Sequence, residues 1–279
     1  MRILVTGCEG QLGKAVVDEL RCRGHWVTGT GHRDMDITDR VSVERVFEVV
    51  KPEAVIHCAA YTNVDQAEEE EQFCREVNVQ GTTHVLACCR ACHAKMIFIS
   101  SDYVFSGEAK ESYKEIAPRE PINVYGKSKR DGENLVSTYE KTFIVRTSWV
   151  FGEGKNFVTA ILARSERDSA LHVVSDQIGC PTYAKDLAIL LADMIVTDRY
   201  GIYHVTNEGA CTWYEFAKEI IKQTGKTTEV LPVTTEEYPV KARRPHNSRL
   251  GKENLDEAGF SRLPDWEDAL KRYIDNTGR

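Results

Sequence analysis

The stretch that decides the fold lies near the start of the chain, where Arg2 to Gly13 reads RILVTGCEGQLG. Ile3 to Thr6 is a short apolar and β-branched run, which is typical of a buried strand. A glycine-rich GxxGxxG turn follows at Gly7 to Gly13, and the apolar residues of Gln11 to Arg23 then recur at helical spacing. This order of strand, glycine loop and helix predicts a βα unit that holds a phosphate group.

The alternation of strand and helix continues beyond this unit. Further strands are predicted at Trp26–Thr30, Ala54–His57, Met96–Ser100 and Phe143–Arg146, and helices at Val41–Val50, Val77–His93 and Ser128–Ser137. Strands that are buried on both faces read as continuous apolar runs, as these do. The pattern predicts an α/β fold with a Rossmann-like doubly wound parallel sheet, whose ligand crevice lies at the carboxyl ends of its strands.

The rhythm loosens after about Phe151. The later part predicts a strand at His172–Val174 and helices at Phe157–Arg167, Ala184–Val196, Trp213–Thr224 and Trp266–Asp275. These elements are too few for a second complete sheet. We therefore expect residues 1–151 to form mainly an NAD(P)-binding Rossmann domain and residues 152–279 mainly a smaller, mixed substrate-binding lobe, with some chain crossing between them.

Composition and charge exclude several classes of protein. Among 279 residues, 42% are hydrophobic and 28% charged, which is the balance of a folded globular protein rather than a disordered one. The net charge of −7 argues against nonspecific binding to nucleic acid. The longest nearly apolar run, Leu187–Val196, contains Asp193 and is about half as long as a membrane-spanning helix. The amino terminus lacks the apolar core of a secretion signal, so we expect a cytoplasmic protein.

Neither the cysteines nor the histidines predict a metal site. Nine cysteines are an odd number without the spacing of a disulfide framework, and we interpret them as reduced thiols. Cys88, Cys89 and Cys92 are followed by His93, but they lie in a helical stretch with no second CxxC pair.

The run of four acids from Glu68 to Glu71 is interpreted as the solvated start of a helix.

The glycine loop predicts a dinucleotide cofactor. Gly7, Gly10 and Gly13 lack a Cβ, so the backbone can turn tightly and approach a pyrophosphate at the helix N-terminus. After the third strand, Ala59-Ala60-Tyr61 places small residues where a flat ring must lie against the backbone.

The end of the second strand bears on the choice of cofactor. It reads Thr30-Gly31-His32-Arg33, without the acid that binds the ribose 2′-hydroxyl in many NAD-binding folds. Arg33 therefore favours NADPH, because an arginine suits a 2′-phosphate. Asp34 and Asp36 lie close enough in the sequence to keep NADH open.

Three residues form a candidate catalytic group. Tyr125 and Lys129 are four residues apart, which places them on one face of a helix, and Ser101 ends the predicted fourth strand. A tyrosine has a reference pKa of about 10, and a nearby ammonium group lowers it. We expect Lys129 to act in this way and to bind the nicotinamide ribose, while Ser101 holds the oxygen that receives the proton. Tyr125 and Lys129 are both predicted to contact the cofactor as well.

The order of glycine loop, Ser101, Tyr125 and Lys129 resembles the extended short-chain dehydrogenase/reductase superfamily. Within it, the chain closely resembles the dTDP-4-dehydrorhamnose reductase family from Met1 almost to the last helix. Five segments carry this resemblance: AAYTNVD at 59–65, SDYVF at 101–105, RTSWV at 146–150, DQIGCPT at 176–182 and RRP at 243–245.

The resemblance implies reduction of the C4 ketone of dTDP-4-dehydro-L-rhamnose to dTDP-L-rhamnose, in nucleotide-sugar and cell-surface polysaccharide biosynthesis. It implies that Tyr125 is the proton donor, that Lys129 tunes it, and that Ser101 stands where family members often have threonine. The implied cofactor positions, beside the loop glycines, are Gln11, Leu12, Asp36, Ile37, Ala59, Ala60 and Tyr61, and the implied substrate positions are Ser101, Asp102 and Trp149.

Arginines near the C-terminus extend the predicted substrate site. Arg243 and Arg244 could bind the substrate diphosphate as bidentate donors, and surface ion pairing is the alternative. Some members of the family use magnesium at a subunit contact. No carboxylate cage stands out here, so the sequence does not support magnesium binding. The sequence leaves a homodimer open.

Two other functions compete with this reading. Related epimerases and 4,6-dehydratases share the cofactor loop and the Tyr/Lys pair, but dehydratases carry an acidic pair after the strand-end hydroxyl, whereas Tyr103 follows Ser101-Asp102 here. A non-catalytic regulatory subunit, like the reductase-like partner of methionine adenosyltransferase, would bind nucleotide without needing an acid beside the nicotinamide. The presence of Ser101, Tyr125 and Lys129 favours an enzyme.

Overall fold

The structure is a computed structural model that describes residues 1–278. Within these residues the strands are β1 (Arg2–Thr6), β2 (Trp26–Thr30), β3 (Ala54–His57), β4 (Lys95–Ser101), β5 (Thr142–Thr147), β6 (Val150–Phe151), β7 (Ala170–Val174), β8 (Ile178–Gly179), β9 (Thr182–Tyr183), β10 (Gly201–His204), β11 (Cys211–Thr212) and β12 (Glu229–Val233). The helices are α1 (Gln11–Cys22), α2 (Arg40–Val50), α3 (Val64–Ala67), α4 (Glu71–Arg75), α5 (Thr82–Cys92), α6 (Val124–Val136), α7 (Phe157–Ser165), α8 (Ala184–Ile195), α9 (Trp213–Gln223), α10 (Glu253–Glu257) and α11 (Trp266–Thr277). A π-helical segment (Glu76–Gly81) joins α4 to α5, and a 3-10 turn (Asp102–Val104) follows β4.

The central sheet is parallel and has the order β2-β1-β3-β4-β5-β10. The chain leaves β1 toward β2 on one side and returns to β3 on the other. The order of the strands therefore reverses between β1 and β3, which is the point where open α/β sheets bind their ligands. The prediction of a doubly wound parallel sheet is confirmed.

Alternate residues of β1 are buried on opposite faces of the sheet. Ile3 and Val5 pack into a core formed with α1 and α8, and Leu4 packs into a second core formed with α2 and α5. All three side chains are fully buried, and each stabilises the fold by about 1.5–3 kcal/mol relative to an exposed side chain. Helices cover both faces because a central parallel strand has no solvent-facing side.

The predicted elements differ from the observed ones mainly at their ends. Helix α6 begins at Val124, four residues before the predicted start, because the side chain of Asn123 accepts a hydrogen bond from the Gly126 amide at 2.7 Å and caps the helix. The helix predicted from Val77 instead begins at Glu71 and passes through the π-helical segment.

The acidic run is not simply a solvated helix start. Glu71 does begin α4, but a Glu68 carboxylate oxygen accepts a hydrogen bond from the Val124 amide at 2.8 Å. A Glu70 oxygen accepts one from the Tyr61 hydroxyl at 2.8 Å. These acids connect α3 and α4 to their neighbours, which a reading of local charge does not reveal.

The second half of the chain contributes to the first. Strand β10 extends the central sheet beside β5, and α8 packs on α1. The remaining elements form short two-stranded sheets, two parallel and one antiparallel, around an aromatic core under α7, α9 and α11. The division of the chain near residue 151 stays a prediction. Within residues 1–278, the structure contains no helix with the length and apolar character to cross a membrane.

Candidate active site

A crevice of about 1120 Å³ opens at the carboxyl ends of β1, β3 and β4. Most of the residues predicted to bind cofactor or substrate line it: Gly7, Gly10, Gln11, Leu12, Gly13, Asp36, Ile37, Ala59, Ala60, Ser101, Asp102, Tyr125, Lys129 and Trp149. Three predicted residues, Arg33, Tyr61 and Arg243, are not among the lining residues. The nucleotide end and the chemical end predicted from the sequence thus share one crevice.

The glycine loop has the tight geometry that its sequence predicts. Gly7 has a φ of +66°, and a Cβ there would lie 2.7 Å from the Ala59 amide nitrogen. A Cβ at Gly13 would lie 2.1 Å from the carbonyl oxygen of Gly7. No side chain caps α1, which begins after Gly10. Its first amides and the positive end of the helix dipole therefore suit the pyrophosphate of a dinucleotide.

A buried hydrogen-bond chain fixes the ends of β1 and β3 beneath this loop. The Thr6 hydroxyl accepts a hydrogen bond from the Ala59 amide at 3.1 Å and lies 2.7 Å from His57 Nδ1. His57 Nε2 lies 3.2 Å from the Thr82 hydroxyl. Burial lowers the pKa of His57 to about 3, so the ring is neutral at physiological pH. We assign His57 a structural part in shaping the crevice floor.

The ribose end of the crevice differs from the sequence-based picture. Arg33 is exposed, and Asp34 accepts a hydrogen bond from the Gly31 amide at 2.9 Å. Burial acts to raise the pKa of Asp36, yet hydrogen bonds from Thr38 favour the carboxylate and hold that pKa below its ordinary value. The role of Arg33 at a 2′-phosphate stays a prediction.

One residue at this end was missed by reasoning from the sequence. Glu9 lies in the glycine loop, and its carboxylate stands over Gly31, where a Cβ would be 2.7 Å from Oε2. The two residues are far apart in sequence, so only the parallel pairing of β1 with β2 reveals the contact.

Tyr61 is held beside the crevice rather than in its wall. Its amide donates to Asn78 Oδ1 at 2.8 Å, and its carbonyl oxygen accepts from Asn78 Nδ2 at 3.1 Å. Asn78 also donates to Ser128 on α6 at 2.8 Å. Asn78 thus joins the segment after β3 to the helix that carries Tyr125 and Lys129.

Strand β4 and helix α6 bring the catalytic candidates together. Ser101 ends β4, and its hydroxyl donates to Asp102 Oδ1 at 2.8 Å and accepts from the Tyr103 amide at 3.1 Å. Tyr125 and Lys129 lie on the first turns of α6 and face the same crevice.

The pKa of Tyr125 is shifted opposite to the sequence-based expectation. Burial raises it and the nearby Asp102 carboxylate raises it further, while a hydrogen-bonding contact with Ser101 acts in the lowering direction. The expected lowering by Lys129 is not observed, because the phenolate would be desolvated next to an acid. Tyr125 therefore keeps its proton at neutral pH, which is the state that a proton donor requires.

Lys129 is a buried ammonium group whose pKa lies close to neutral pH. Burial lowers its pKa to about 8, and the charge of Glu133 acts against this lowering. Its Nζ lies 4.3 Å from the centre of the Phe98 ring, a distance that suits a cation–π contact. At neutral pH most molecules carry the charge on Lys129.

Asp102 is a buried acid that faces the crevice. It is 3% exposed, and burial raises its pKa to about 7, against the effect of hydrogen-bonding contacts with Ser101 and Ser248. Its Oδ2 is buried without a hydrogen-bond partner of normal geometry among residues 1–278. An orphaned buried oxygen beside Ser101 suits a polar group of a ligand.

A buried ion pair beneath the site was also missed at the sequence level. Glu133 and Arg146 are at most 1% exposed, and Arg146 donates to both Glu133 oxygens at 2.8 and 2.7 Å. Ser100 donates to Glu133 at 2.5 Å. Burial favours the neutral acid, yet Arg146 holds the pKa of Glu133 below its ordinary value. The pair ties β4, β5 and α6 together, and so fixes the spacing of Ser101 from Tyr125.

Trp149 presents less free ring surface than the sequence suggests. It has a φ of +47° and stacks on Trp213, with ring centroids 3.5 Å apart and an interplanar angle of 10°. A Cβ at Gly179 would come within 2.5 Å of the Trp149 ring. Trp213 was not predicted to lie at the site, since nothing in its local sequence pattern distinguishes it from a core residue.

The two C-terminal arginines have different surroundings. Arg244 donates to both carboxylate oxygens of Asp65 at 3.1 and 2.7 Å, which is the ion-pair alternative for this residue. Arg243 is exposed, and its carbonyl oxygen accepts from Asn123 at 2.8 Å. Binding of the substrate diphosphate by Arg243 stays a prediction.

Comparisons with known proteins agree on one family. The whole chain, residues 1–279, matches the family model described as RmlD substrate binding domain. A dTDP-4-dehydrorhamnose reductase from Aggregatibacter actinomycetemcomitans is 40% identical over 285 residues, covering 97% of this chain and 97% of that protein. The spore coat polysaccharide biosynthesis protein SpsK from Bacillus subtilis is 42% identical over 275 residues, covering 98% and 96%.

A solved structure matches over the full length. The crystal structure of dTDP-4-dehydrorhamnose reductase from Bacillus anthracis in complex with NADP superposes with a TM-score of 0.96 and 40% sequence identity, and 99% of each chain is covered. The similarity extends over both halves of the chain.

Proposed function

The chain belongs to the RmlD substrate binding domain family, and from this premise we propose that it reduces the C4 ketone of dTDP-4-dehydro-L-rhamnose to dTDP-L-rhamnose. The reaction would serve nucleotide-sugar and cell-surface polysaccharide biosynthesis. The single observation that carries the proposal is that Ser101, Tyr125 and Lys129 line the same crevice as the glycine loop.

The residues at the nucleotide end fit a dinucleotide. Glycines stand where a Cβ would collide with neighbouring backbone, and the start of α1 is free of a side-chain cap. NADPH, with NADH as a second possibility, would supply the hydride for the carbonyl carbon when bound. We propose Gly7, Gly10, Gln11, Leu12 and Gly13 as the residues that hold its pyrophosphate.

Tyr125 is the proposed proton donor. As the carbonyl oxygen gains negative charge, the neutral phenol gives it a proton, and the C–O double bond becomes an alcohol. The Ser101 hydroxyl lies beside Tyr125 and can hold the same oxygen in place. Lys129 keeps a positive charge in this buried space and stabilises the phenolate that remains after proton transfer.

The substrate end is proposed from the remaining crevice residues. The unpartnered Asp102 oxygen can accept a hydrogen bond from a sugar hydroxyl, and Trp149 offers an apolar contact. Arg243 is proposed to bind the diphosphate from outside the crevice wall.

We also propose that the chain acts in the cytoplasm. Its nine cysteines are free thiols, which is the state that a reducing compartment maintains.

A homodimer is part of the proposal, and sedimentation of the purified protein would test it. Within residues 1–278 no group of three or more His, Cys, Asp and Glu side chains is placed to hold a metal ion.

The deciding experiment is incubation of the purified protein with dTDP-4-dehydro-L-rhamnose and each reduced cofactor in turn. We expect stoichiometric loss of reduced-nicotinamide absorbance and formation of dTDP-L-rhamnose, identified by NMR. Sugar conversion without net cofactor oxidation would instead indicate an epimerase. Cofactor binding without any conversion of dTDP-sugars would favour a regulatory subunit.

A further inference from the structure

The ribose end of the crevice carries an acid to which the proposed function gives no role. Glu9 is exposed in the glycine loop and lines the crevice. Its carboxylate reaches Gly31 at the end of β2, where a Cβ would lie 2.6 Å from Cδ and 2.7 Å from Oε2 of Glu9. The loop therefore delivers a negative charge to the end of the second strand.

This position is where dinucleotide folds distinguish their two cofactors. An acid at the end of the second strand binds the 2′-hydroxyl of NADH, and a nearby arginine accommodates the 2′-phosphate of NADPH. Here Thr30, Gly31 and His32 line the crevice and supply no acid. Glu9 brings the missing carboxylate to the same place from a different element.

Each neighbouring acid has one carboxylate oxygen hydrogen-bonded within the protein, whereas Glu9 has neither. Asp34 accepts a hydrogen bond from the Gly31 amide at 2.9 Å, and Asp36 Oδ1 accepts from the amide and hydroxyl of Thr38 at 2.9 and 2.7 Å. In the described part of the chain, the Glu9 side chain forms no hydrogen bond or ion pair that would hold it elsewhere. Its oxygens are available to a ligand.

We propose that Glu9 is a specificity-determining residue of the cofactor site. Its carboxylate accepts a hydrogen bond from a ribose 2′-hydroxyl and repels a 2′-phosphate, and so it opposes Arg33. The inference rests on the proposed function, because it assigns the choice between NADPH and NADH to that same crevice.

The test compares cofactor affinities of wild type and Glu9→Gln, a variant of equal size without the charge. Binding of NADPH and of NADH is titrated by the fluorescence of the reduced nicotinamide, without sugar substrate. Removing the charge strengthens NADPH binding and weakens NADH binding, so the ratio of their affinities should shift toward NADPH by about tenfold.

Two further variants make the result specific. Glu153→Gln removes another crevice acid, one that pairs with Lys14 at 2.7 Å rather than contacting Gly31, and should leave the ratio within about twofold. Arg33→Gln should shift the ratio in the direction opposite to Glu9→Gln. The difference between wild type and Glu9→Gln should shrink at high ionic strength, as an electrostatic effect requires.

The outcomes separate the two proposals. If wild type binds neither cofactor, the proposed function fails. If wild type binds cofactor but Glu9→Gln leaves the ratio unchanged, or weakens both cofactors equally, the role of Glu9 is refuted while the reductase proposal stands. Thermal unfolding of each variant confirms that it is folded, which we expect because Glu9 is exposed.

Discussion

The two ends of the crevice are built on different principles. At the nucleotide end, the site is formed mainly by backbone atoms. Gly7 has a positive φ, Gly13 lies close to the Gly7 carbonyl, and helix α1 starts without a side-chain cap. At the chemical end, the surface consists of buried titratable side chains whose pKa values lie far from their ordinary range, including those of Asp102 and Lys129.

The difference shows how binding and reactivity place separate demands on a fold. A site that binds a constant diphosphate needs shape and fixed dipoles, which a short local segment provides. A site that moves a proton needs groups removed from water, and burial requires several elements to surround them. A substitution should therefore affect affinity at one end and proton chemistry at the other.

Replacing Tyr125 should give the largest effect. Tyr125→Phe removes the proton donor, and we expect turnover to fall on the order of a thousandfold while cofactor affinity changes little. Steady-state kinetics and a fluorescence titration measure the two quantities. Tyr103→Phe is the matched control, since Tyr103 packs edge-on against Tyr125 at 5.9 Å but does not line the crevice. Undiminished turnover in Tyr125→Phe would refute the assigned role.

Replacing Asp102 should change how the free energy of unfolding depends on pH, because Asp102 is buried at the chemical end. Its folded-state pKa of about 7 lies above the unfolded value of about 3.9, so its contribution to stability is fully present below pH 4 and is lost as pH rises through 7. Relative to wild type, Asp102→Asn should therefore gain at most about 3 kcal/mol of stability when the pH rises from 5 to 8, since the pKa of wild-type Asp102 lies about two units above pH 5. Urea unfolding at the two pH values measures the gain.

The control for this prediction lies at the nucleotide end. The pKa of Asp36 is lowered, because hydrogen bonds from Thr38 outweigh the effect of burial. Asp36 therefore stabilises the fold above its unfolded pKa, and this contribution is lost as pH falls through the folded pKa. Asp36→Asn should be less stable than wild type at pH 8. An Asp36→Asn variant that is at least as stable as wild type at pH 8 would contradict the contrast between the ends.

Replacing Gly13 should act on affinity alone. A Cβ at Gly13 would lie 2.1 Å from the Gly7 carbonyl oxygen, whereas one at Gly10 would lie 3.3 Å from the same atom. Gly13→Ala should weaken cofactor binding by about a hundredfold, the effect of displacing the loop by a fraction of an ångström or more. Gly10→Ala should cost far less, and turnover at saturating cofactor should be nearly unchanged in both. Similar affinities for the two variants would show that the loop is not rigid.

The same contrast explains which features could be predicted from the sequence. The glycine loop and the spacing of Tyr125 and Lys129 are local patterns, and local geometry fixes what they do. The contact of Glu9 with Gly31 and the stack of Trp149 on Trp213 join distant segments, so no local pattern predicts them.

Electrostatics was the least predictable property. The proximity of a lysine suggests a lowered tyrosine pKa, but the actual direction depends on how much water reaches Tyr125 and on Asp102 beside it. The pairing of Glu133 with Arg146 likewise depends on the packing of α6 against β4 and β5. Among the elements, strand β10 was missed because it has only four residues and one of them is Gly201, which leaves too short an apolar run to indicate a strand.

The position of β10 has a consequence for how the chain can be cut and recombined. A fragment that ends near residue 151 would expose one edge of β5 and one face of α1, since β10 and α8 cover them in the intact protein. During synthesis, the nucleotide-binding half cannot complete its sheet until residue 204 has left the ribosome. Chimeras between relatives should therefore exchange residues 184–204 together with the N-terminal half, despite their place in the sequence.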